Sequence, residues 1–158
     1  MKYKIIFLDV DGVLNSSTFF RDMKEIGKFR TDLWNLNPNS IALLRVLIAE
    51  DPTIRLVLSS TWRLYPDGIK ALHEAGLDFI ASTVDYHGAK CRGEEILRWV
   101  IDNEDDIFSY VILDDQDDML PQQYKRFVRT SMRDGLLPVH LEKAKRILCC
   151  PMNSPVVF

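Results

Sequence analysis

Two short stretches of the sequence place pairs of aspartates directly after apolar runs. In FLDVDG these are Asp9 and Asp11, and in VILDD they are Asp114 and Asp115. Like charges this close repel each other, and burial of a carboxylate is costly unless a cation compensates it. Carboxylate oxygens are ligands that Mg²⁺ prefers. If the fold brings the two pairs together, they predict a magnesium site.

Hydroxyl and basic residues occupy two further turns of the chain. Ser59 and Ser60 follow the apolar run IRLVL, and Arg63 comes shortly after them. Lys90 and Arg92 lie in a polar turn ahead of a helical pattern. Hydroxyls and a helix N-terminus donate hydrogen bonds to anions, and a basic side chain offsets the remaining negative charge. Mg²⁺, an anion site and a carboxylate free to attack together suggest phosphoryl transfer through an aspartyl-phosphate.

Each of these pieces has an ordinary structural interpretation when taken alone. An Asp-x-Asp-Gly stretch can simply end a strand in a turn, and the serines can cap a helix. The acidic residues 114–118 can form a solvated loop, and the basic residues can be surface charges. The functional interpretation depends on their joint placement, because each of these turns follows a strand of one alternating pattern.

Strands and helices alternate along the chain. Short apolar runs predict strands, and apolar residues at helical spacing between capping and stop signals predict helices. We expect strands at 4–8, 54–58, 78–82, 110–113 and 127–130, and helices at about 38–50 after a cap at Asn37, from Pro66 to a stop at Gly76, from near Gly93 and at about 138–148. This spacing predicts an α/β fold, a three-layer, Rossmann-like, doubly wound parallel sheet of about five strands. Ligands of such sheets bind beyond the carboxyl ends of the strands, where the residues above lie.

The composition is that of an ordinary globular protein. The 158 residues are 47% hydrophobic and 27% charged, with a mean hydropathy of −0.08, and they suffice for a substantial core. The net charge of −3 and the sequence pI of about 5.6 provide no global basic field for nucleic acid or an anionic membrane, although a local basic patch is compatible with them. We find no repeat, linker or low-complexity tract, and we expect a single domain over residues 1–158.

Cysteine and histidine usage bears on compartment and metal type. The cysteines are Cys91, Cys149 and Cys150, and the histidines are His73, His87 and His140. An odd number of cysteines, two of them adjacent, does not suit a disulfide framework and indicates reduced thiols in a cytoplasmic protein. Scattered histidines and the lack of a CxxC pair argue against zinc. The apolar start is broken too early to be a signal peptide or a membrane span.

The turns that carry the aspartates, serines and basic residues, taken in chain order, resemble the motifs of a known family. FLDVDGVLN, then VLSSTWR, then a basic turn before a helix, then VILDD, are similar to the four motifs of the haloacid dehalogenase-like (HAD) hydrolase superfamily, and they cover residues 5 to about 118. The stretch RGEEILRWV leading to YVILDD, followed by FVRT and GLL, looks like the HAD-type domains of bacterial, phage and RNA-repair-associated proteins.

The resemblance implies a role for each motif residue. Asp9 would be the nucleophile and would bind Mg²⁺ through its second oxygen. Asp11 would be the general acid and then the base, with its backbone carbonyl on the metal; a second aspartate here points to phosphate rather than carbon–halogen substrates. Ser59 would hydrogen-bond the phosphoryl group, Asp115 would be the main acidic metal ligand of the fourth motif, and Asp114 would lie beside it.

The third motif leaves two candidates open. The family usually has a lysine there, either shortly before the helix or opening it in a Lys-Gly pair. Lys90 fits the first placement, and Arg92, followed by Gly93, fits the second with arginine substituted. An arginine can clamp a phosphate with two donors, whereas a lysine acts as a point charge. Arg63, just past the second motif, would either reach a second phosphate or form a salt bridge.

Residues 15–37 form a short flap instead of a cap domain, so the resemblance implies a capless phosphatase. Its aromatic and basic residues interleave: Phe19, Phe20, Phe29 and Trp34 with Arg21, Lys24, Lys28 and Arg30. Such a mixture could stack a base and hold its phosphates, or its aromatic rings could pack onto the sheet edge. An open site suits a large substrate, such as a nucleic-acid end or a phosphoprotein, or a small one enclosed by oligomerisation.

The spacing within Asp9-Val10-Asp11-Gly12 allows two carboxylates to share the site. Alternation along an extended chain points Val10 away while the two aspartates face the site. We expect Asp9 to be ionised against Mg²⁺ while Asp11 carries a proton, so that they do not repel as equals. Gly12 would let the backbone turn where a side chain would crowd the phosphate.

The sequence therefore predicts a Mg²⁺-dependent phosphatase acting on a phosphorylated substrate, with nucleotides or nucleic-acid termini as a fitting class. A phospho-accepting receiver-like domain uses similar groups, but there the acidic pair follows the first strand and the accepting aspartate the third. Here the adjacent pair Asp114 and Asp115 follows the fourth strand, and Ser59 follows the second. A catalytically idle domain that binds phosphate or a partner is the other alternative.

Overall fold

A computed structural model describes residues 1–84 and 88–156. His87, one of the three histidines named above, lies outside the described residues. Its strands are β1 (Tyr3–Leu8), β2 (Ile54–Leu58), β3 (Phe79–Ser82), β4 (Ile107–Asp114) and β5 (Phe127–Arg129). They form one parallel sheet in the order β3-β2-β1-β4-β5. The predicted doubly wound parallel sheet of five strands is confirmed.

The helices are α1 (Ser17–Glu25), α2 (Pro38–Glu50), α3 (Pro66–Glu74), α4 (Arg92–Asp102) and α5 (Pro138–Leu148). Short 3₁₀ helices cover Thr61–Leu64, Glu104–Asp106 and Pro121–Arg126. Four of the five α-helices lie where the apolar spacing predicts them. The fifth, α1, lies within the flap and is not predicted, and neither are the 3₁₀ helices.

Two apolar layers cover the faces of the sheet. One face packs against α2, α3 and α5, with Leu44, Leu72 and Ala144 fully buried between them and the strands. The opposite face packs against α4 through Ile96 and Val100. Because both faces of the central strands are covered, β1 is an unbroken apolar run, as expected for a buried parallel strand. The three-layer prediction is confirmed, and no large cap domain is present among the described residues.

The predicted stop and start signals act as expected at two helices. Asn37 caps α2, because its Oδ1 accepts a hydrogen bond of 3.0 Å from the backbone N–H of Asn39. Gly76 follows the end of α3 with a φ of +78°, the left-handed conformation that commonly ends a helix. Across the described ranges, no helix combines the length and apolar character needed to cross a membrane.

Candidate active site

Three carboxylates meet at the carboxyl end of the sheet, where the strand order changes direction between β1 and β4. Asp9 follows β1, Asp114 ends β4 and Asp115 comes next in the chain. One oxygen from each of them lies within 4.8 Å of the others. The backbone N–H of Asp9 donates to the carbonyl of Leu113 at 3.0 Å, which fixes the first motif against the fourth. This is the position at which doubly wound sheets bind their ligands.

Burial makes this cluster electrostatically costly. Asp9 is 6% exposed and Asp114 is 1% exposed. Burial raises the pKa of Asp9 to about 6, against the opposing charge of Arg92 and a hydrogen bond from Ser60. Burial, followed by repulsion from Asp9, raises the pKa of Asp114 to about 7. Two ionised carboxylates are therefore unfavourable here at neutral pH unless a cation joins them.

One oxygen of the cluster is left open for such a cation. Among the described residues, Asp114 Oδ2 accepts no hydrogen bond, although it is buried. Its other oxygen, Oδ1, accepts one of 2.9 Å from the backbone N–H of Gln116. Buried polar atoms are normally satisfied, so an open carboxylate oxygen beside two further carboxylates marks a place for a ligand. Hard oxygen donors in this number fit Mg²⁺.

Arg92 is the basic side chain that the structure brings to the carboxylates. Its Nη1 lies 3.5 Å from Asp9 Oδ1 and 3.5 Å from Asp114 Oδ2, and it donates to the carbonyl of Ser59. Lys90 is exposed, and within residues 1–84 and 88–156 its ammonium has no polar partner. Its backbone N–H donates to Glu94 Oε2 at 2.7 Å. Of the two third-motif candidates, only Arg92 is thus in contact with the cluster.

The two serines after β2 have different surroundings. Ser59 is fully buried, and in the described parts of the chain its hydroxyl has no hydrogen-bond partner. Ser60 Oγ accepts a hydrogen bond of 3.3 Å from the backbone N–H of Trp62, as the N-cap of the 3₁₀ helix, and its hydrogen bond to Asp9 lowers the pKa of that carboxyl. An unpartnered hydroxyl next to the cluster is available to an oxygen of a bound phosphoryl group.

The Asp11 carboxylate makes hydrogen bonds to residues outside the cluster of three carboxylates. Its carboxylate is exposed and lies outside the group of three, with Oδ1 accepting 2.7 Å from Asn15 Nδ2 and Oδ2 accepting 2.9 Å from Trp62 Nε1. The metal contact predicted for Asp11 runs through its backbone carbonyl and stays a prediction. Asn15 and Trp62 are site residues that the sequence reasoning missed. Both lie inside the quoted motifs, but nothing in the spacing indicates that they face Asp11.

Arg63 forms the salt bridge that was one of its two predicted roles. Its Nη2 lies 3.1 Å from Glu95 on α4, and both side chains are nearly buried. Its Nη1 donates to the carbonyl of Ser60 at 3.0 Å. The guanidinium thus holds α4 against the turn after β2, which keeps Arg92 close to the second motif.

Gly12 lies so close to Asp115 of the fourth motif that only a glycine fits. Its φ is +76°, and a Cβ at this position would lie 2.5 Å from Cγ of Asp115. A side chain at this position would therefore crowd the Asp115 carboxylate. The expectation that it would also crowd the phosphate stays a prediction. The Gly12 carbonyl accepts 2.6 Å from Thr130 Oγ1, which locks the turn from the β5 side.

The rest of the acidic run 114–118 is engaged in structure. Asp117 pairs with Arg129 at 3.2 Å. Asp118 Oδ2 accepts 3.1 Å from the backbone N–H of Arg92, at the start of α4. The run is therefore divided between the cluster, through its first two members, and the positioning of the neighbouring elements.

The flap 15–37 packs part of its aromatic residues against each other and contacts the residues around Asp11 near both of its ends. The rings of Phe20 and Phe29 are 5.7 Å apart, and the Lys24 ammonium lies 4.8 Å from the Phe29 ring. At the start of the flap, Asn15 donates directly to Asp11. Near its end, Trp34 packs edge-on against Trp62 at 4.9 Å, and Trp62 also donates to Asp11.

Comparison with known proteins gives one result. A family model described as the HAD domain in Swiss Army Knife RNA repair proteins matches residues 5–141, which include the carboxylate cluster, Asp11, Ser59 and Arg92. Curated proteins and solved structures gave no match.

Proposed function

This chain belongs to the family of HAD domains in Swiss Army Knife RNA repair proteins, and from that membership we propose that it is a Mg²⁺-dependent phosphomonoesterase working through an aspartyl-phosphate. The observation that carries the proposal is the buried cluster of Asp9, Asp114 and Asp115, with Arg92 against it and an open carboxylate oxygen within it. The more general assignment, a HAD hydrolase of the phosphatase type, follows from the family.

The metal would be held by the three clustered carboxylates. When bound, Mg²⁺ would neutralise their charge and polarise an oxygen of the transferring phosphoryl group. The open Oδ2 of Asp114 and the raised pKa of both buried aspartates support this, because each is a cost that a divalent cation would remove.

In the proposed reaction, one Asp9 oxygen attacks phosphorus, and the bond between phosphorus and the leaving oxygen breaks. Asp11 gives its proton to that oxygen. Asp11 then accepts a proton from water, whose oxygen attacks phosphorus, so that phosphate leaves and the Asp9 carboxylate is restored. Arg92 and Ser59 would bind the phosphoryl oxygens.

The hydrogen bonds of Asp11 suit this shuttling role. The donors Asn15 and Trp62 each use one lone pair of a carboxylate that offers about four, so Asp11 can carry a proton while its direction is held. Its exposure, in contrast to the burial of Asp9, leaves it accessible to both the leaving group and water.

For the substrate we propose the phosphorylated terminus of a nucleic acid or a nucleotide. The family name supports the nucleic-acid class. The short flap supports a large substrate, because no cap domain among the described residues closes over the carboxylates.

Phosphate release from a panel of substrates tests the proposal. The panel holds p-nitrophenyl phosphate, mononucleotides and 3′- or 5′-phosphorylated oligonucleotides, each with and without Mg²⁺. We expect Mg²⁺-dependent release, lowered at least about a thousandfold in Asp9→Asn. Asp117→Asn is the matched control, since it removes a carboxylate of the same acidic run that pairs with Arg129 outside the cluster.

Two results would contradict the proposal. One is equal release by wild type and Asp9→Asn, and the other is release that chelation of Mg²⁺ leaves unchanged. Phosphate binding without any turnover would favour the catalytically idle alternative.

A further inference from the structure

An aromatic surface connects the proposed acid–base residue to the outside of the molecule. Trp62 is 4% exposed and donates its indole N–H to Asp11 at 2.9 Å. Trp34 of the flap packs edge-on against Trp62, and the Tyr65 ring lies 5.7 Å from the Trp34 ring. Tyr65 itself is 53% exposed. We call Trp34, Trp62 and Tyr65 the aromatic platform; it starts at Asp11 and ends at the surface.

Contacts within the protein hold Trp34, the middle residue of the platform, in place. Trp34 lies against α3 at Gly68, where a Cβ would come within 2.8 Å of the indole ring. The next residue, Asn35, is buried and bonds both the N–H and the carbonyl of Arg30, closing the flap loop. Asn15 Nδ2 reaches the Asn35 carbonyl at 3.4 Å as well as Asp11. The loop is therefore tied to Asp11 through Asn15 and through Trp62.

The charges of the flap do not form a track for a nucleic-acid backbone. Arg30 pairs with Asp32, and Arg21 pairs with Asp22 inside the same segment. Lys24 lies over the Phe29 ring. Two of the four basic residues of the flap are thus paired within it, and its four basic and three acidic residues leave a net charge of only +1. Recognition through stacking is therefore favoured over recognition through phosphate contacts.

We propose that Trp34 and Tyr65 bind the nucleobase of the nucleotide whose phosphate lies at Asp9. The inference rests on the proposed function and adds the residues that select the substrate. Aromatic side chains stack on any base, because every base has a flat π-face, and such stacking tolerates sequence variation. An aromatic surface that begins beside the acid–base residue offers this contact within the same site.

Tyr65 is the residue to change, because it is half exposed and its side chain makes no capping hydrogen bond to α3. The substrates are a phosphorylated oligonucleotide and the same oligonucleotide with an abasic residue at the phosphorylated end. We expect Tyr65→Ala to raise KM about fivefold or more on the first and to leave the second unchanged. Tyr65→Phe keeps the ring and should restore the wild-type KM.

Tyr124→Ala is the matched control, because Tyr124 is 51% exposed but lies on the 3₁₀ helix before β5. It should leave KM unchanged on both oligonucleotides. The inference is wrong if Tyr65→Ala changes KM equally on both, or on neither. It is also wrong if a phosphopeptide is the better substrate and its KM responds to Tyr65→Ala, because the platform then binds a peptide side chain.

A binding measurement separates this inference from the proposed reaction. Asp9→Asn is titrated, with Mg²⁺ present, into a phosphorylated oligonucleotide whose terminal base is 2-aminopurine, a fluorophore that stacking quenches. We expect quenching that is lost when Tyr65→Ala is added. Quenching without turnover by the wild type would defeat the phosphatase proposal and leave the stacking contact standing. Turnover without quenching would defeat the stacking contact alone.

Discussion

Neutralising Asp114 should stabilise the protein in the absence of metal. This carboxyl is buried and its pKa is raised from an ordinary value of 3.8 to about 7, first by burial and then by the charge of Asp9. One pKa unit corresponds to about 1.4 kcal/mol, so ionising Asp114 in the folded protein costs roughly 4 kcal/mol at a pH above 7. Asp114→Asn removes that cost and can still accept the hydrogen bond from the Gln116 N–H.

The attraction of Arg92, which lies 3.5 Å from Asp114 Oδ2, is already included in that pKa. The expected net gain is smaller for another reason, because the asparagine amide brings two N–H donors into a buried site where they need acceptors. We expect a free energy of unfolding higher by about 1–3 kcal/mol at pH 8, which for a chain of this size raises Tm by roughly 2–4 °C per kcal/mol. The assay is thermal unfolding with EDTA at pH 5 and at pH 8, followed by circular dichroism.

The raised pKa of Asp114 determines how the stability difference between the wild type and Asp114→Asn changes with pH. The pKa of Asp114 is raised by folding, so the unfolded chain releases this proton first, and wild-type stability falls as pH rises from about 4 to about 7. The gain from Asp114→Asn should therefore reach only about two-fifths of its full size at pH 5 and nearly its full size at pH 8. Added Mg²⁺ should offset much of this gain, because binding at 100 times Kd stabilises the wild type by about 2.7 kcal/mol and the variant by less. Asp117→Asn should show neither effect.

A destabilised Asp114→Asn at pH 8, or a difference that is the same at both pH values, would refute the reasoning. Either result would mean that the buried carboxylate is already well solvated or paired without a metal.

Three further predictions concern neighbouring residues. Gly12→Ala should lower the free energy of unfolding by about 1–3 kcal/mol in chemical denaturation and abolish Mg²⁺ stabilisation, because of the positive φ and the 2.5 Å approach to Asp115; unchanged Mg²⁺ binding would contradict this. Glu95→Ala should cost about 3 kcal/mol or more by leaving its buried arginine partner unpaired, and a loss below 1 kcal/mol would mean that water solvates the pair. Arg92→Ala should lower phosphate release at least tenfold while Lys90→Ala leaves it near wild type, and the reverse result would assign the third motif to the lysine.

The sheet could be predicted because its central strands are buried on both faces. β1 is apolar from Ile5 to Leu8, which leaves no ambiguity about its type. The observed β4 is longer than the predicted 110–113, because it begins at Ile107 and includes the buried Ser109. The Ser109 hydroxyl donates to the carbonyl of Ile147 at 3.0 Å. A buried polar residue that makes its hydrogen bond inside a strand interrupts the apolar run, so the run seen in the sequence starts later than the strand itself.

Helix α1 was missed because it contributes no buried residue. Its apolar residues Phe19, Phe20 and Met23 do share one face, but they are few in a short and mostly polar segment, and the two phenylalanines contact each other within the flap instead of the core. The start signal was present: Ser16 Oγ accepts 3.2 Å from the backbone N–H of Phe19. A cap without a core-facing stripe is too weak to predict a helix.

The meeting of Asp9, Asp114 and Asp115 could be expected from the predicted parallel sheet, because the carboxyl ends of its strands share one edge. The adjacency of β1 and β4 is a matter of strand order, which the alternating pattern does not encode. The distinction between Arg92 and Lys90 depends on which residue opens α4, and sequence patterns place helix starts only to within a residue or two. The partners of Asp11 depend on how the turns after β1 and β2 fold in space, which no local spacing encodes.

The self-compensated flap has a consequence for how a polyanionic substrate would be captured. A protein that tracks a nucleic-acid backbone displaces one counterion for each phosphate it neutralises, so its affinity falls steeply with salt. Here Arg21 and Arg30 are paired within the flap, and the net charge of the whole chain is −3. Long-range attraction would add little to the association rate, and log Kd should change only shallowly with log salt concentration. Such an enzyme would select the chemistry of an end at short range and would hold loosely to the polymer behind it.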